Sequence, residues 1–194
     1  RYSTNTFPRW WLAQPFRMLA HNGEINTLKG NLNWLKSHEI RMASATFGDM
    51  AEDIKPIVPA GSSDSAALDA VFEVMVRSGR SAPMVKTIMV PEAWSKATTD
   101  MPKPWADMYA YCNSIMEPWD GPAALAMTDG RWVCGGLDRN GLRPMRYVVT
   151  GDGLLIAGSE VGMVPVAGDA FDVMFRANIR NVRMLRRWLD KQPR

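Results

Sequence analysis

The sequence has little of what disulfide frameworks and metal centres are made from. Its 194 residues include two cysteines and two histidines. Cys112 and Cys134 stand far apart in helix-like and strand-like stretches, so they outline no disulfide framework and fit a reducing compartment. With His21 and His38 they show no metal-ligand spacing, which sets bound zinc aside. No apolar run reaches the roughly 20 residues that span a bilayer, and the start lacks a signal-peptide pattern. A membrane is therefore not an expected partner, and the cytoplasm is the expected location. Gly135-Gly136 and Gly151-Asp152-Gly153 lack the strand-then-helix setting of a phosphate-binding loop, so no cofactor site is visible in this segment.

An excess of one charge is also missing from most of the length. The formal net charge is +3, but residues 166–194 hold seven Lys or Arg against three Asp, leaving sixteen basic and seventeen acidic side chains to residues 1–165. That body has no bias toward phosphate, and nucleic acid is not an expected partner. In the tail, Phe175, Ile179, Val182 and Leu189 mark an apolar helical face and Arg176, Arg180, Arg183 and Arg187 a basic one. Such a helix suits contact with a membrane, an acidic partner or nucleic acid. A reading-frame change or artificial junction near residue 166 is the simpler account.

What is present is the composition of an ordinary globular protein, 46% apolar and 22% charged, enough for one core. Ile25, Leu28, Leu32 and Leu35 recur at steps of three and four, predicting an amphipathic helix from about residue 25 to 39. Residues 40–61, with Gly48, Pro56, Pro59 and Gly61, read as a loop. Residues 66–76 are apolar on nearly all sides, as in a helix buried between layers, and Gly79 is placed to end it. Val85 to Val90 is a short β-branched run before Pro91 and reads as a strand, and residues 105–116 read as a helix. From Ala123 to Ser159, short apolar runs are punctuated by Asp129-Gly130, Asn140-Gly141 and Asp152-Gly153, which predicts an antiparallel meander. Trp10, Trp11 and the methionines suggest core packing. Pattern alone yields α+β.

The strand-like run Met18-Leu19-Ala20-His21 delivers Asn22-Gly23 directly before a helix-like segment. Asn22 offers a side-chain amide and Gly23 a backbone N–H unobstructed by a Cβ, two donors for one developing oxyanion in acyl transfer. The same dipeptide is the commonest two-residue hairpin turn, and the residues alone leave both readings open.

Four segments occur in one order: Arg1-Tyr2-Ser3-Thr4-Asn5-Thr6-Phe7-Pro8, His21-Asn22-Gly23-Glu24-Ile25-Asn26-Thr27, Ser62-Ser63-Asp64-Ser65, and Leu137-Asp138-Arg139-Asn140-Gly141-Leu142-Arg143-Pro144. Together they resemble the glutaminase domain of the glutamate synthase large subunit, a class II glutamine amidotransferase. The resemblance covers residues 1–165 as a partial amidotransferase domain and leaves residues 166–194 as a basic tail outside it. It implies an incomplete four-layer αββα sandwich of the N-terminal-nucleophile hydrolase type. It also implies hydrolysis of L-glutamine to supply ammonia for reductive conversion of 2-oxoglutarate to L-glutamate.

On the same resemblance, Asn22 and Gly23 form the oxyanion hole, Arg1 grips the substrate carboxylate through a planar guanidinium, and Asp64 holds the substrate ammonium. Asp64 is equally explained as a helix N-cap. Asp138-Arg139-Asn140-Gly141 reads first as a tight turn, with Arg143 pinning it to a carboxylate or to carbonyls. The family nucleophile is an N-terminal cysteine whose α-amino group is the base. Arg1 opens inside a motif and neither Cys112 nor Cys134 matches that cysteine, so the sequence reads as a fragment without turnover of its own. The alternative is a non-catalytic truncated product, or a module that binds glutamine or a partner. FMN, an iron–sulfur cluster and a reduced donor such as NADPH are implied for the complete family enzyme, outside this segment. So are its other synthase domains and, in bacterial types, a small electron-transfer subunit.

Overall fold

In the computed structural model, residues 2–3, 7–42, 45–93 and 101–160 are described. Residues 1–145 and residues 146–194 form two separate units. The first holds a sheet of strands β1 (Leu19–Gly23), β2 (Ala123–Thr128) and β3 (Val133–Leu137), in the order β1-β2-β3 with both pairs antiparallel. Because side chains alternate across a strand, Leu19 and His21 share a face with Ala123, Leu125 and Met127. All five are buried, and the apolar four belong to one core cluster with Val71, Phe72, Val85 and Ile88 of the helices. Asn22, paired with Ala124, projects to the opposite face.

Helix α1 spans Leu28–Ile40, three residues later than the apolar pattern predicts. The delay has a cause in the preceding backbone: Glu24 donates to the Pro122 carbonyl at 3.0 Å and Asn26 to that of Asp120 at 2.7 Å. Those bonds hold residues 24–26 against the approach to β2 before the chain can coil. Helix α2, Asp64–Arg77, fills the predicted buried place, with Arg77 its one exposed residue. Ser63 caps it, its Oγ accepting from the Ala66 N–H at 3.1 Å. Gly79, at φ +100°, ends it while the Arg80 N–H returns to the Met75 carbonyl, a 6→1 closure.

The predicted strand at Val85 to Val90 is instead part of helix α3, Ala82–Met89. Short apolar runs fit either period, and three local features favour the helix. Pro83 stands in the first turn, where a missing N–H costs nothing. Val85, Ile88 and Met89 bury one face at steps of three and four. Asp129, from the turn between β2 and β3, accepts the Ala82 N–H at 2.9 Å and so caps the helix from across the fold. Helix α4, Lys103–Ile115, packs against α3 near its predicted place.

The predicted meander resolves into two separate hairpins. Asp129-Gly130 joins β2 to β3, and Asp152-Gly153 joins β4 (Arg146–Val149) to β5 (Leu155–Gly158), the described strands of the second unit. Asn140-Gly141 joins no paired strands. The described residues between 40 and 61 are a loop as expected, apart from the end of α1 and a short 3-10 turn at Gly48–Ala51. Trp10 and Trp11 are not core residues: they are 90% and 48% exposed. The tail, residues 166–194, lies outside the described residues. No helix among the described residues is long and apolar enough to cross a membrane.

Candidate active site

The last two residues of β1 are Asn22 and Gly23, so Asn22-Gly23 is strand and not a hairpin turn. Gly23 is obligatory there. Its φ of +149° is one that L side chains rarely adopt, and an added Cβ would stand 1.8 Å from the Pro122 carbonyl oxygen.

Register fixes which way the Gly23 N–H points. Glu24 donates to Pro122 and Thr128 donates to Met18, so the hydrogen-bonded pairs of the β1–β2 ladder fall at residues 18, 20, 22 and 24 of β1. The N–H groups of the odd residues point to the outer edge of the strand. His21 illustrates the direction, its N–H donating to Gln14 Oε1 at 2.6 Å. The Gly23 N–H therefore faces away from β2.

The Asn22 side chain is buried, 7% exposed, and its Oδ1 accepts from Arg143 Nη2 at 2.7 Å. A guanidinium only donates, so the amide oxygen must be the atom turned toward it and the amide nitrogen the atom turned away. Arg143 itself is set by the loop after β3. Asp138, 3% exposed, directly follows that strand, and its carboxylate gathers four backbone N–H groups: Asn140 and Leu142 on Oδ1 at 3.0 and 2.9 Å, Ala123 and Arg143 on Oδ2 at 3.0 and 2.8 Å. Burial pushes this carboxyl up, but the four N–H groups outweigh it and hold the group below the usual carboxylate range. The motif is therefore a loop wound around a buried anion. Sequence reading missed that role of Asp138; it gave Arg143 a carboxylate or carbonyls, and the guanidinium meets the carbonyl oxygen of the Asn22 amide.

Asp64 stands at the first position of α2, but Ser63 is the cap. Its Oδ2 accepts the Ile25 N–H at 2.9 Å and lies 3.7 Å from His21 Nε2, with both side chains essentially without exposure. Its Oδ1 is buried and accepts no hydrogen bond among the described residues. Sequence reading missed His21 as the neighbour of Asp64; its place two residues before Gly23, on the face turned to α2, was the available signal. Ser3 Oγ meets Ser65 Oγ at 2.7 Å, which fastens the start of the chain to the first turn of α2. Arg1, the expected carboxylate ligand, lies outside the described residues. Asn22, Gly23 and, through Ile25, Asp64 thus meet at one end of β1.

Neither cysteine has the surroundings of a nucleophile. Cys112 is enclosed in α4 and Cys134 half-buried in β3, and burial pushes both thiols up, with Asp129 adding to the rise at Cys134.

A match to the family described as glutamine amidotransferases class-II covers residues 1–190. The chain belongs to the class-II glutamine amidotransferases. The match runs past the boundary expected at residue 165, so it does not set the tail apart from the family. The amidotransferase chain is 66% identical over 166 residues to the glutamate synthase [NADPH] large chain of Azospirillum brasilense, covering 86% of this chain and 11% of that protein. It is 54% identical to the glutamate synthase [NADH] of Saccharomyces cerevisiae, covering 86% of this chain and 8% of that protein. It is 48% identical to a ferredoxin-dependent glutamate synthase of Pyropia yezoensis, covering 86% and 11%. The chain thus spans about a tenth of the length of these relatives. Their names carry NADPH, NADH and ferredoxin in turn.

Proposed function

We propose that this amidotransferase domain hydrolyses the side-chain amide of L-glutamine and hands the ammonia to a glutamate synthase of which it is one part. The observation that carries this reading is the pairing at the end of β1. An edge N–H from Gly23, unspent in the sheet, adjoins an Asn22 amide whose nitrogen is turned away from Arg143. Attack on a carboxamide carbon puts negative charge on its oxygen, and two fixed donors in a buried setting stabilise that charge without reorganising.

Asp64 supplies the second half. A buried carboxylate oxygen with no donor costs stability, and a substrate ammonium offers the donor it lacks. Arg1 takes the substrate carboxylate; Ser3, two residues later, is already fastened to Ser65 beside Asp64. The family resemblance implies an N-terminal cysteine as the nucleophile, a part that does not suit Cys112 or Cys134, whose thiols burial pushes up. The four-layer sandwich is the expected frame. The face of the sheet turned away from α2 and α3 leaves Val133, Gly135 and Ala126 exposed, where a second sheet would lie. FMN, the iron–sulfur cluster, the reduced donor and any small electron-transfer subunit belong to other parts of such an enzyme, in the cytoplasm.

The test is ammonia release from L-glutamine by the full-length polypeptide carrying Asp64→Asn. Loss of a charge-assisted contact should raise KM about tenfold or more with a smaller change in kcat. It should also narrow the preference for L-glutamine over glutaramate, which has the same amide but no ammonium. Unchanged KM and unchanged preference would remove Asp64 from substrate binding.

A further inference from the structure

Asn22 can serve as an oxyanion donor only if its amide presents nitrogen, not oxygen, to the substrate. A primary amide is nearly symmetric in shape, and a flip about its last torsion exchanges a donor for an acceptor that would repel the developing anion. A group that selects between the two stands outside β1: Arg143 Nη2, 2.7 Å from Asn22 Oδ1. A guanidinium has five N–H donors and no acceptor, so it tolerates one orientation of the amide.

Arg143 is itself held firmly. Its backbone N–H is one of the four on Asp138, and another of the four belongs to Ala123, the residue paired with Gly23 across the ladder. One buried carboxylate therefore ties the loop carrying Arg143 to the strand position opposite the oxyanion donors. Gly141 at φ +65° allows the chain to double back within that loop.

We propose that Arg143 is a positioning residue for the oxyanion hole: it locks the Asn22 amide with nitrogen toward the substrate and carries no substrate contact of its own. This inference rests on the glutaminase reading above. Removing Arg143 frees the amide to flip, so the fraction of enzyme with a correctly oriented donor falls while glutamine binding is untouched.

The experiment is a double-mutant cycle on glutamine hydrolysis by the full-length polypeptide, with wild type, Arg143→Met, Arg143→Lys, Asn22→Ala and the Arg143→Met/Asn22→Ala pair. Arg143→Met should lower kcat by about tenfold or more, by no more than Asn22→Ala does, with KM within about twofold. Arg143→Lys, which keeps a donor but not the planar fork, should recover part of the loss. In the Asn22→Ala background Arg143→Met should cost little further, because there is no amide left to orient. A raised KM, or a loss that persists undiminished in that background, would overturn the inference by showing that Arg143 acts on the substrate or on the fold. Full activity in Arg143→Met would overturn it as well. If Arg143→Met does not fold, Arg143→Lys decides in its place: kcat equal to wild type, or KM changed more than kcat, contradicts the inference. Failure of the glutaminase reading is distinct, since Asn22→Ala would then leave turnover unchanged.

Discussion

Asp138 and Lys86 are both enclosed by the fold, and they make opposite predictions about pH. Asp138 is ionised against four backbone N–H groups and titrates below the usual carboxylate range. A lowered acid value means that its stabilisation is complete above the ordinary value of about 4 and is lost as pH falls through the folded value. Asp138→Asn, with one carbonyl oxygen for four donors, should destabilise at neutral pH and flatten the decline of stability in acid. Denaturant unfolding at a series of pH values measures both. Lys86 donates to the Val90 carbonyl at 3.0 Å, and burial lowers it to about 8 from 10.5, against the pull of Glu92 and Asp138. The folded chain binds this proton less readily than the unfolded chain, so the penalty is full below about 8 and is relieved between 8 and 10.5. Lys86→Met should raise Tm at neutral pH and abolish any gain in stability over that alkaline window.

Among the elements, the crossing of residues 23–24 with residues 121–122 is the tightest. A Cβ at Gly23 would meet the Pro122 oxygen at 1.8 Å, and one at Gly121 the Glu24 oxygen at 2.0 Å. Gly23→Ala should cost at least about 1–3 kcal/mol from the backbone conformation alone, before any clash, and appear as a lowered Tm. Buried helix α2 and the Gly79 stop were legible because apolar spacing and a positive-φ glycine are local signals. Helix α3 was not, because its cap comes from Asp129, 47 residues later. Asn140-Gly141 misled for the same kind of reason. Its turn chemistry was real, yet the residues around it answer to the Asp138 carboxylate and not to a pairing strand. Asp129→Ala should therefore loosen α3, seen as faster amide exchange in Ala82 and its neighbours.

At the scale of the whole molecule, a mixed α and β chain of the class-II amidotransferases was legible from four ordered motifs, and the same motifs led to the proposed site residues Asn22, Gly23 and Asp64. What the sequence could not show was how these residues are held. Asn22 Oδ1 accepts from a residue 121 positions away, and Asp64 is joined to the stretch after β1 across 39. Such contacts exist only once the sheet and α2 have packed, and no local spacing encodes them. The central claim is that Asn22 and Gly23 stabilise an oxyanion during glutamine hydrolysis. Its most direct test is kcat for ammonia release from L-glutamine by the full-length polypeptide carrying Asn22→Ala. A fall of roughly a hundredfold or more, the scale of one oxyanion donor, with KM little changed, is the predicted result. Turnover equal to wild type would contradict it.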